Sequence, residues 1–207
     1  MKQLAEPDVL KQRLMILAAL DLILCEEDWL RYHRFDSHWS PNVSLATIDN
    51  GAGDDLFILF APEGVIMKGF DHESGLSPHA QKDHEVFPGI YDQVPKSLLA
   101  LLDDEAFEKE YVTFCIWRES GDANWRMGDV KIPEGEEDGS VFLLRTIFDT
   151  AEIYVDWAQY YYDMPISIEV VQQIYNGSEI TEEIIRSLNP ERNVQEALQE
   201  LNFMRKM

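Results

Sequence analysis

The chain has 207 residues, 45% hydrophobic and 11% aromatic, which suits one domain with a substantial core and excludes a disordered chain. Its 39 acidic residues stand against 17 lysines and arginines, a formal charge of −22. Such a surface repels nucleic-acid phosphates and anionic lipid and attracts basic partners, so a nucleic-acid or membrane-surface role is excluded.

The first predicted element is a helix from Pro7 to Leu24, with an extension to Tyr32 left open. Pro7 fits a first helical turn, and Glu6 and Asp8 suit the positive end of the helix dipole. Leu10, Leu14, Leu17 and Leu24, with Ile16, Leu20 and Ile23, make an apolar face that packs across a sheet. The run Leu14–Leu24, apolar except for Asp21, is shorter than the ~20 residues that span a bilayer. His33 and His38, with Asp36 and Trp39, read as a helix end running into a turn.

A β-meander follows. Val43–Asp49, Leu56–Ala61 and Val65–Phe70 read as strands, joined by an Asn50-Gly51 turn and by Pro62-Glu63-Gly64, so they form two antiparallel hairpins. Residues 71–95 are irregular and rich in Asp, His, Ser, Pro and Gly; a loop of this length is functional or mobile. Pro95 opens a short helix, Lys96–Leu102, and Glu105–Glu110 continues it on an acidic side. Tyr111–Arg118 is a strand that turns at 120–124 and returns as Trp125–Val130. Ile132–Ser140 is an acidic loop, and Val141–Ile147 is ambiguous, with strand preferred.

The last part is helical. Asp149 and Glu152 suggest a capping box for a helix through Tyr162; Ser167, Thr181 and Asn193 begin three more, the last ending at Arg205 with Lys and Arg at its negative pole. The expected fold class is α+β: an antiparallel meander sheet with a packed N-terminal helix in residues 1–148, and a helical C-terminal subdomain, 149–207, packed on it. Cys25 and Cys115 sit in apolar runs and read as buried thiols of a reducing compartment. The N-terminus lacks the basic stretch and apolar core of a signal peptide, so a cytoplasmic protein is expected.

Two groups of residues could carry function. Asp71, His72 and Glu73, followed by His79 and His84, combine imidazole with carboxylate, which suits a metal or acid–base chemistry. Asp71, His72 and Glu73 are the catalytic alternative, and His72, His79 and His84 the metal-ligand alternative, of a metal-assisted hydrolase. Their spacing matches no established metal signature. The second group is Trp125 with Glu134, Glu136, Glu137 and Asp138, an aromatic anchor beside an acid-rich rim suited to gripping a basic protein. Trp157 and Tyr160-Tyr161-Tyr162 lie on one helix, and three consecutive residues cannot share a face at ~100° per residue, so one tyrosine points outward. No phosphate loop or nucleophile elbow occurs, and no cofactor is expected. A DNA mimic, its carboxylates imitating phosphates, is a third reading that needs regularly spaced exposed acids.

The stretch Asp49–Asp55 leading into Leu56–Phe60, then Gly64–Ser74, with Phe87-Pro88-Gly89, Thr113–Arg118 and Trp125–Asp129, resembles a small uncharacterised bacterial domain family over about residues 40–190. That resemblance implies no activity. The leading helix and the meander with its Asn-Gly turn also resemble the SUKH-type immunity proteins of bacterial toxin systems. This likeness implies a binding protein that neutralises a toxin, and it designates no site residues. The leading expectation is a non-enzymatic acidic module that inhibits a basic protein partner by steric occlusion.

Overall fold

Helix α1 (Pro7–Leu24) starts on Pro7 and ends where Cys25 becomes extended, the Cys25 N–H still donating to Asp21 O. It does not reach Tyr32. Asp28–Leu30 form a single 3-10 turn, and strand β1 (His33–Ser40) follows, which corrects the reading of His33–Trp39 as a helix end. The computed structural model describes residues 4–205. The expected basic end of the last helix, the Arg205 side chain with Lys206, lies outside the described residues, as do Met1–Gln3.

Strands β1, β2 (Val43–Asp49), β3 (Asp55–Ala61), β4 (Gly64–Phe70), β5 (Phe114–Glu119) and β6 (Arg126–Met127) form one antiparallel sheet in that order. The fold is therefore α+β with a meander sheet. The third hairpin is shorter than its sequence suggests: its first arm begins at Phe114 and its return is two residues long.

Side chains alternate between the two faces of a strand, and here both faces are covered. Ala46, Ile48, Leu56, Ile58, Phe60, Met67, Phe114 and Ile116 pack against α1 and the C-terminal helices. On the other face, Val43, Leu45, Leu59, Ile66, Cys115 and Trp117 are covered by Ile90, Val94, Leu98, Leu102, Phe107 and Val112. The covering residues come from the long β4–β5 connection, which includes the short helix α2 (Lys96–Leu99). Residues 71–95 are irregular apart from a 3-10 turn at Pro78–Ala80, and Ile90 and Val94 within them join this layer over the sheet. Burial on both faces is why β3 reads as an almost unbroken apolar run.

Helix α3 (Ser140–Arg145) occupies the stretch for which strand was preferred. The Asp138 carboxylate accepts from Ser140 N at 2.9 Å and from Ser140 Oγ at 2.6 Å, which turns the chain into a helix. Leu143 and Leu144 then face the core. A short apolar run carries no period that separates helix from strand, so the turn at Asp138 and the burial of Leu143 and Leu144 decide it. Helices α4 (Ala151–Tyr161), α5 (Ile168–Tyr175), α6 (Glu182–Leu188) and α7 (Val194–Arg205) share one core with α1. Thr150 caps α4, with Oγ1 accepting from Ile153 N at 3.4 Å, while Asp149 pairs with Arg13 of α1 at 3.3 Å. Ser167, Thr181 and Asn193 accept hydrogen bonds from the first turns of α5, α6 and α7.

Asp21, the one charge in the apolar run of α1, is fully buried. It accepts from His33 N at 2.8 Å, lies 2.8 Å from His33 Nδ1, and accepts from Tyr154 OH at 2.7 Å. His33 Nε2 lies 3.0 Å from Thr146 O. The network ties α1, β1, the α3–α4 turn and α4 together, so Asp21 and the His33 ring are paired. Both cysteines are buried and free. No helix among the described residues is long and apolar enough to cross a membrane.

Candidate functional site

Trp125 is half-buried, its Nε1 donates to Ala5 O at 3.0 Å, and the Arg118 guanidinium lies 6.0 Å from its ring. Arg118 also makes two hydrogen bonds to Glu6, at 3.0 and 2.8 Å. Trp125 therefore fastens the N-terminal segment and is no free anchor. Asp138 is buried and occupied with α3, so it does not belong to an open rim. Glu134, Glu136 and Glu137 are exposed. Their loop leans on the segment after β4: Ser74 Oγ donates to Glu137 O at 2.6 Å, and the Glu136 carboxylate lies so close to Gly75 that a Cβ there would collide with it. The two groups read separately from the sequence are neighbours in space.

Asp54, in the β2–β3 turn, accepts from Asn50 Nδ2 at 2.6 Å and from His72 N at 2.9 Å, and lies 2.7 Å from His72 Nδ1. Burial pushes the Asp54 carboxyl up, but the hydrogen bonds from His72 and Asn50 outweigh it and hold the group below its ordinary value. The bond to Asp54 raises the His72 imidazole above its ordinary value. Asp54, Asp71 and His72 offer ligand atoms within 4.8 Å of one another, and they are the one such group among the described residues. His79 and His84 are outside it. His79 stacks on Tyr111 at 5.3 Å, and His84 is exposed on a left-handed backbone. Glu73 is exposed, its carboxylate 3.9 Å from His72 Nε2. The expected three-histidine set is not assembled. Asp54 takes its place, a residue that sequence reading assigned only to a turn.

The clearest exposed feature lies elsewhere. In the 3-10 turn before β1, Trp29 is 74% exposed and Leu30 51%. Tyr161 donates to Leu30 O at 3.3 Å and stacks on Trp157 at 4.9 Å, while the adjacent Tyr160 is 90% exposed. The outward tyrosine expected from helix geometry is thus Tyr160. Behind this edge, Trp157 contacts Tyr32 and Phe148, each at 4.9 Å, and His33 at 5.5 Å. Tyr161 therefore stands on a packed aromatic base. Glu26, Glu27, Asp28, Asp156 and Asp163 are exposed beside them in sequence.

Next to Tyr161 is a recess of about 470 Å³, with Leu24, Glu27, Leu30, Asn189 and Arg192 in its wall. Its frame is cross-tied: Glu200 of α7 binds Arg31 at 2.8 Å and Arg192 at 2.5 Å, and Asn189 Nδ2 donates to Ile23 O and Leu24 O at 3.1 Å. The signal for this site in the sequence is Glu26-Glu27-Asp28-Trp29-Leu30, where a tryptophan sits among acids with no apolar periodicity to bury it. A second cavity of about 620 Å³ separates the β1 edge from α7, lined by Phe35, Trp39, Leu45, Phe203 and Met204. Comparison with family models, with curated proteins and with solved structures finds no match to this chain.

Proposed function

We propose that the protein is an acidic protein-binding module that occludes a basic partner, in the manner of an immunity-type inhibitor of a bacterial toxin. One observation carries the reading: Trp29, Leu30 and Tyr160 are exposed beside Tyr161, which packs on a buried aromatic base. Tryptophan and tyrosine dominate the energetics of protein interfaces, and carboxylates around them steer encounter and reject acidic competitors. The exposed Glu134, Glu136 and Glu137 loop adds to the negative field without supplying an anchor. The double substitution Trp29→Ala, Tyr160→Ala removes two exposed rings, so it changes stability by less than about 1 kcal/mol. It weakens binding to the captured partner by about a hundredfold or more, measured by surface plasmon resonance. An acidic or nucleic-acid partner, or unchanged affinity in the double variant, would sink the reading.

A second reading, metal-assisted hydrolysis, is favoured by the gathering of Asp54, Asp71 and His72. Asp54 holds His72 by Nδ1 and leaves Nε2 to a ligand, the arrangement that orients metal-binding imidazoles. Titration of protein without a polyhistidine tag with zinc or manganese decides it: stoichiometric binding that Asp71→Asn and His72→Gln abolish supports the hydrolase, and no binding removes it.

A further inference from the structure

We propose that the recess beside Tyr161 receives an arginine or lysine side chain of the partner, a proposal that rests on the binding function above. Glu26, Glu27 and Glu191 are exposed and line it, and none has a cation within ion-pairing distance among the described residues. The cation of the wall, Arg192, is already committed: its side chain is fully buried, 2.5 Å from Glu200 and 3.7 Å from Glu196, and Nε donates to Leu22 O at 3.2 Å. The recess thus presents uncompensated negative charge. Leu24, Leu30 and the Tyr161 ring supply apolar wall for a long methylene stem, and a ring edge or face for the cationic head.

The other polar groups of the wall are held within the protein itself. Arg192 Nη1 is buried and makes no hydrogen bond, with the Glu196 carboxylate 3.7 Å away. Cys25, also in the wall, donates its thiol to Glu27 O at 3.4 Å, and burial raises it above its ordinary value. The frame built by Glu200, Arg31 and Asn189 holds the recess open from α1, the 3-10 turn and the α6–α7 junction at once.

The test compares two charge-matched triple variants of the full chain. One is Glu26→Gln, Glu27→Gln, Glu191→Gln in the recess; the other is Glu134→Gln, Glu136→Gln, Glu137→Gln on the distant loop. A capped hexa-arginine peptide is titrated into each and into the parent by calorimetry at low salt. The expected result is a loss of about tenfold in affinity for the recess variant and less than about threefold for the loop variant. Equal losses would overturn the recess while leaving an acidic binding module standing. Absence of peptide binding by the parent would also overturn it. The Trp29, Tyr160 experiment with the captured partner decides the wider function separately.

Discussion

Lys68 carries an ammonium in a fully buried position on β4, 3.0 Å from Asp55 and between the rings of Phe57 and Phe70 at 5.1 and 5.8 Å. Burial pushes the Asp55 carboxyl up to about 6 against the pull of Lys68, and burial likewise lowers Lys68. Lys68→Met leaves the partly buried Asp55 carboxylate without its cation, so it costs about 2–3 kcal/mol in urea unfolding at pH 7. The cost shrinks at pH 5, where the raised Asp55 binds a proton. Adding Asp55→Leu to Lys68→Met restores most of the stability; a double variant as unstable as the single would refute the pairing. His72 and Asp54 shift in opposite directions. The raised His72 contributes stability that is complete below about pH 6.5 and lost as pH rises through its folded value. The lowered Asp54 contributes stability present above about pH 3.9 and lost as pH falls through its folded value. An NMR titration therefore places His72 above about 6.5, and Asp54→Asn moves it back towards that value. A wild-type midpoint at or below it would contradict the bond.

Elements with local signals were legible from residue order. The Asn50-Gly51 turn and the Pro62-Glu63-Gly64 turn delimit β2, β3 and β4, and serine, threonine and asparagine caps start α5, α6 and α7. Elements that depend on a partner were not. Six of the eight residues of β1 are polar, and it is a strand because His33 pairs opposite Ile48 and Phe35 opposite Ala46 with α1 beneath. Strand preference of this kind is set by packing, not by the backbone. At α4 the cap is Thr150, so Thr150→Ala lowers unfolding free energy by about 1 kcal/mol. A loss below about 0.3 kcal/mol would show that the cap is idle. Gly64 has φ of +144°, and its position lies against the Arg118 carbonyl, so a Cβ there would collide with backbone. Gly64→Ala therefore costs more than about 1 kcal/mol and loosens the β4–β5 pairing.

For the whole molecule, the charge of −22 is the dominant long-range property. Under the binding function we propose, it would steer a basic partner, so the association rate is expected to fall steeply between low and physiological salt, while dissociation depends on the aromatic anchors. Stopped-flow measurements should show Glu134→Gln, Glu136→Gln, Glu137→Gln lowering the association rate and its salt dependence with dissociation unchanged. Trp29→Ala, Tyr160→Ala should raise dissociation. A salt-independent association rate in the parent would rule out electrostatic steering.

The sequence by itself determined the fold class, the meander, most helix starts and the negative surface, because turns, caps, periodicity and net charge are local or additive properties. Only the tertiary structure decided where function can sit. It spent Trp125 on the N-terminal segment and Asp138 on a helix start, brought Asp54 to His72, and left Trp29 and Tyr160 uncovered. Whether an aromatic ring is core or surface depends on what packs over it, and those neighbours come from distant parts of the chain.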